Sequence, residues 1–232
     1  MRALIPVICA VLIGSVAAGQ AGAGAAIDWD PVYTWEPGAT ATFSPLGGVF
    51  SGVGVVSKFD VPFLDLDASD PTKEYTIYLY GLVSQGTTSV TSGTFTFYTT
   101  NYTGGTIEVY EDLTPDASFD PNPPNAGVPG DFNDGTLLLK GQFTSFTTQT
   151  NNFTQFNTGN LEGNINWTSG TLYDRTFNAH GAPCPGLITG GITWYPPVMI
   201  AGYIFRNDGK IDLNCPSPAV PSTWGKLKAP YR

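Results

Sequence analysis

Positive charge is scarce in this chain: its 232 residues include ten Lys or Arg against nineteen Asp or Glu, with one His and a net charge of −9. Nucleic acid and anionic lipid both require clustered cations, so neither is an expected partner. Charged residues of both signs make up only 12% of the chain, while hydrophobic residues make up 41%, enough for a buried core and too many for intrinsic disorder. The one strongly apolar run, residues 3–18, is shorter than the ~20 residues that span a bilayer. Helix formers are sparse, and between residues 27 and 214 no stretch repeats apolar residues at helical spacing for more than two turns. Catalytic motifs are missing too. There is no Gly-x-Ser-x-Gly elbow, and the Gly-rich residues 47–54 lack the GxGxxG spacing of a phosphate cradle. His180, the only histidine, reads as a loop residue. The chain is therefore expected not to be an enzyme; glycoside hydrolysis by two carboxylates is the least excluded class, because sequence does not measure their separation.

What is present begins with an amino-terminal leader. Arg2, the apolar run and the small residues 19–26 read as a secretory signal peptide over residues 1–25. Its removal takes away Arg2 and Cys9 and leaves a mature charge of −10. The two remaining cysteines, Cys184 and Cys215, are expected to form a disulfide in an oxidising, extracytoplasmic compartment. Closing that 31-residue loop contributes about 3–4 kcal/mol in the chain-entropy model.

Strand signals dominate residues 26–215. In residues 161–167 apolar Leu161, Ile165 and Trp167 alternate with Glu162, Asn164 and Asn166, one face dry and the other wet. Residues 94–97 and 106–109 alternate likewise, and residues 75–80 are apolar on both faces, as in a central strand. Many short strands separated by turn residues argue for a β-sandwich or barrel rather than for crossover units, and the expected fold is a single-domain, all-β antiparallel β-sandwich of jelly-roll or immunoglobulin-like type. Asn207, Asp208 and Gly209 are expected to turn a last hairpin that pairs Phe205 with Ile211. A Pro-rich linker follows at residues 216–221. Residues 222–232 form a basic aromatic tail with Lys226, Lys228 and Arg232 and no acid, suited to self-assembly or to a surface receptor.

Acid is concentrated: twelve carboxylates and one base, Lys73, lie between residues 60 and 134. Asp112, Asp131 and Asp134, around the long loop, are candidate calcium ligands, since calcium takes oxygen ligands from irregular loops. The competing reading is a solvated acidic surface. Asp65, Asp67 and Asp70 form a second group. Among the tryptophans, Trp167 and Trp194 alternate with core residues, whereas Trp29, Trp35 and Trp224 near the mature ends are candidate platforms for a glycan.

Residues 102–112 (Tyr-Thr-Gly-Gly-Thr-Ile-Glu-Val-Tyr-Glu-Asp) and 131–141 (Asp-Phe-Asn-Asp-Gly-Thr-Leu-Leu-Leu-Lys-Gly) resemble the β-domain of bacterial exported surface proteins of the PEP-CTERM kind. The resemblance covers residues 60–170 and implies a secreted β-sandwich of surface or matrix type with no assigned chemistry. It stops before the carboxyl end, where residues 220–225 show no Pro-Glu-Pro, no apolar span and no arginine cluster. The expected function is a non-enzymatic exported bacterial surface or extracellular protein with a structural, adhesive or assembly role. The alternative is a carbohydrate-binding module assisted by calcium.

Overall fold

Alternating residues become antiparallel strands in the computed structural model, which describes residues 25–119, 130–153 and 157–215. In chain order these are β1 (Ile27–Trp35), β2 (Val49–Phe59), β3 (Glu74–Ser92), β4 (Phe95–Thr103), β5 (Thr106–Asp112), β6 (Thr136–Asn151), β7 (Thr158–Ser169), β8 (Gly186–Thr193) and β9 (Phe205–Leu213). A four-residue helix, α1 (Gly130–Asn133), leads into β6. In β7, Leu161, Ile165 and Trp167 are buried while Glu162, Asn164 and Asn166 are exposed, as the alternation predicts. The apolar 75–80 run lies in β3, which pairs with β2, β4 and β5.

The strands close on themselves, which corrects the expected jelly-roll or immunoglobulin-like sandwich to a barrel. β1 pairs with β2 on one side and β9 on the other, and the ring runs β1, β2, β3, β5, β6, β7, β8, β9 and back to β1. Eight strands make this ring and β4 stands outside it. Across β3, Val83 faces Thr103 of β4 and Tyr80 faces Thr106 of β5, so β4 continues β5 in line. The break between them is Gly104 and Gly105, at φ 67° and 92°, where a side chain is strained. The sandwich expectation fails for a definite reason. Alternation states that each strand has one dry and one wet face, and a sandwich and a barrel satisfy that equally. Closure depends on the partner of the first strand, here the last, at the far end of the sequence.

The expected hairpin at Asn207-Asp208-Gly209 is likewise replaced. β9 runs straight through these residues, pairing Asn207 with Val32 of β1 and with Ile192 of β8. Asn207 is fully buried and its Nδ2 donates to the Val32 carbonyl at 2.9 Å, so a polar residue that reads as a turn former instead satisfies an irregularity in β1. Ile27, Phe50, Ile77, Leu139, Phe146 and Ile165 fill the barrel interior. A smaller apolar cluster lies around Tyr33, Val53, Phe132 and Tyr203, where the segment after β5 folds back over the strands.

Cys184 and Cys215 stand at disulfide distance, with sulfurs 2.12 Å apart. Trp167 is buried as expected, and Trp194 is half-buried against Phe205. Trp29, a candidate platform, is buried in the core, and Trp35 is half-buried beside Tyr203. The signal peptide, the linker, the basic tail and Trp224 lie outside the described residues. Among the described residues no helix is long and apolar enough to cross a membrane.

Candidate functional site

The interior offers little room. An enclosed space beside Glu36 measures about 10 Å³, the volume of one water. Glu36 follows β1 and is only 4% exposed. Ser44 Oγ donates to its Oε1 at 2.7 Å and Tyr102 Oη to its Oε2 at 3.1 Å. Burial pushes the carboxyl above its ordinary range, and these two bonds only partly oppose that. Burial and the neighbouring carboxylate push the Tyr102 phenol well above the usual tyrosine range. Gly48 makes room for the arrangement, since a Cβ there would fall 2.0 Å from Glu36 Oε1. The space beside this carboxyl holds at most a water.

A second buried carboxylate, Glu108 of β5, is 6% exposed and differs in its partners. Lys140 Nζ lies 2.8 Å away, and the hydroxyls of Tyr110 and Tyr80 donate at 2.7 and 3.1 Å. Burial raises its pKa, yet the three donors together outweigh burial and hold the carboxylate below its ordinary range.

The predicted calcium ligands are brought together only in part. Asp112 meets Glu74 and Asp116, with one oxygen of each within 4.8 Å of the others. Asp131 and Asp134 fall outside that group, although their charge, added to burial, helps raise the Asp116 carboxyl. Glu74 Oε1 already accepts the backbone N–H groups of Asp116 and Ala117 at 2.7 and 2.8 Å. The segment is anchored by apolar contact as well: Phe119 packs on Tyr33 and Phe132, and Thr76 Oγ1 donates to the Phe132 carbonyl. The other acidic group is dispersed among local partners. Asp65 pairs with Arg175, Asp67 accepts from Ser69 and Asp70 from Thr72, and each is held below the ordinary aspartate range chiefly by those side-chain bonds. His180 is exposed in a turn built on Asn178.

Shallow concave surface is found elsewhere: an open groove of about 550 Å³ lies by Trp194, Met199 and Tyr203, and two more lie on the outer wall. Thr99 and Asn101 of β4, Ser145, Thr147 and Gln149 of β6, and Asn160 and Glu162 of β7 line a groove of about 360 Å³. Strand pairing fixes the rows: Asn101 faces Thr147, which faces Glu162, while Thr99 faces Gln149, which faces Asn160. Thr147 Oγ1 donates to Asn101 Oδ1 at 2.9 Å. A shallower groove of about 490 Å³ shares Asn160 and Glu162 and continues over β8 and β9 to Asp28 of β1. Along these grooves the outer wall is rich in hydroxyls and amides where the interior is apolar. Sequence reading identified the wet face of β7 but not the groove, because the rows form only once β4, β6 and β7 are in register. Comparison with family models, with curated proteins and with solved structures finds no match to this chain.

Proposed function

We propose that the chain is an exported, non-enzymatic barrel protein of the bacterial surface or extracellular matrix with a structural or adhesive role. The observation that carries this reading is where its available polar groups lie. The interior is packed, both buried carboxyls are engaged by internal donors, and the hydroxyls and amides that face solvent line the outer-wall groove, some paired with one another as Thr147 is with Asn101. The Cys184–Cys215 pair supports an oxidising compartment. Assembly through the basic residues 222–232 against acidic neighbours belongs to the same reading, and truncation after residue 221 would abolish it. The test is surface labelling of intact cells together with the intact mass of the recovered protein. A labelled chain cut near residue 25, whose thiols resist alkylation until reduced, is expected. A full-length chain with free thiols inside the cell overturns the reading.

Glycan binding is the second reading, favoured by the outer groove. Calcium enters it through Glu74, Asp112 and Asp116, away from the groove, where an ion would pin the segment after β5. The melting temperature should then rise with free calcium into the millimolar range, and Asp112→Asn should remove the rise. No shift in the unmodified protein assigns these carboxylates to a solvated surface.

A further inference from the structure

We propose that the outer-wall groove across β4, β6 and β7 binds a neutral polysaccharide chain, with Phe97 as its stacking platform; this rests on the glycan reading above. Three observations converge. The first is the donor and acceptor inventory. Hydroxyls of Thr99, Ser145 and Thr147 and amides of Asn101, Gln149 and Asn160 each both donate and accept, as sugar hydroxyls do. The side chains of Gln149, Asn160 and Glu162 have no partner among the described residues, so binding breaks no internal bond there.

The second is charge. This groove holds one carboxylate, Glu162, and no cation, on a protein of net charge −9. A polyanion is repelled, and a neutral ligand rich in hydroxyl donors complements the wall. The third is an apolar surface on the same face. Phe97 is 52% exposed and precedes Thr99 by two residues, so both side chains lie on one side of β4. Phe95, 42% exposed, lies on that side too and packs on Phe153 with ring centroids 5.3 Å apart, while Val90 of β3 sits opposite Phe97. Exposed rings beside a row of hydroxyls and amides suit a sugar ring, which has an apolar C–H face and a polar rim.

The groove also has direction. Together with its continuation, which adds Asp28, Asp208 and Lys210 and so remains net negative, it crosses six strands from β4 to β1, on the order of 24 Å at the usual strand spacing. That length fits several linked sugars better than a monosaccharide.

The test is affinity electrophoresis and calorimetry of the unmodified protein with soluble mixed-linkage glucan, xylan, galactomannan and dextran, with alginate as the charged control. At least one neutral polymer should bind, and alginate should not. Combined Gln149→Ala and Asn160→Ala should weaken binding about tenfold, the equivalent of one net hydrogen bond, and Phe97→Ala by a similar factor. The melting temperature of each variant should stay within a degree or so of the parent, because these side chains are exposed. Unchanged affinity in both variants would place the sugar elsewhere and overturn the site while leaving the glycan reading intact. Absence of binding to every neutral polymer overturns both. Self-association lost in the same variants, with no sugar binding, assigns the groove to a second copy of the chain instead.

Discussion

Two carboxyl groups of nearly equal burial are treated in opposite ways. Glu36 meets only neutral donors, Ser44 and Tyr102, and its carboxyl is pushed up; Glu108 meets Lys140 and two tyrosines, and its carboxylate is pulled down. The contrast teaches that burial sets the cost of a charge and the partners decide whether the charge is kept. Near Glu36 the barrel holds a group that favours its proton, and on β5 it holds a fixed anion. Both are internal to the fold.

The strongest way to break the comparison is to remove the cation. Lys140→Met should cost about 2–3 kcal/mol in urea unfolding, below the 3–5 kcal/mol of a fully buried pair because the lysine is about one-third exposed. Adding Glu108→Gln should recover much of that loss. If Lys140→Met is silent, Glu108 is held by its tyrosines alone and the two sites do not differ in kind. A smaller effect is expected at the other site: Tyr102→Phe, which deletes one neutral donor to Glu36, should cost about 1 kcal/mol. It should also raise the Glu36 carboxyl further, which a pH series of unfolding curves would detect.

The subtlest prediction is a pair of opposite slopes. The folded carboxyl of Glu36 binds its proton more tightly than the unfolded one, so its ionisation penalises the fold as pH rises through the carboxylate range. Relative to Glu36→Gln, the parent should therefore gain stability on acidification. Glu108 is shifted the other way: its contribution is full above the unfolded carboxylate pKa and is lost as pH falls through the lower folded value. Relative to Glu108→Gln, the parent should lose stability on acidification. Slopes of the same sign in the two series would erase the distinction.

Much of the local structure was legible from alternation. The dry and wet faces of β7, the central position of residues 75–80 and the pairing of Cys184 with Cys215 all follow from residue type and spacing. Other readings, the open sandwich among them, failed where a distant partner decides the outcome. Asn207-Asp208-Gly209 carries turn chemistry, yet Asn207 is bought into the sheet by a carbonyl of β1, 175 residues away. Trp29 lies near the mature end but is buried in the core, because the first strand is flanked on both sides. Asp112 also gathers Glu74 and Asp116, a grouping that spacing along the chain does not reveal, since β3 and β5 place Glu74 opposite Asp112. The groove needed three strands in register before any of its residues stood out.

The pairing of β1 with β9 also bears on timing. Ile27 lies opposite Ile211, so the ring stays open until almost the whole chain has emerged from whatever makes or translocates it. Contacts this distant in sequence close slowly, and until they do the edges of β1 and β8 expose unpaired backbone to neighbouring chains. A chain halted before residue 205 lacks the strand that seals the seam, and is expected to stick to other copies of itself rather than wait as a soluble half-barrel.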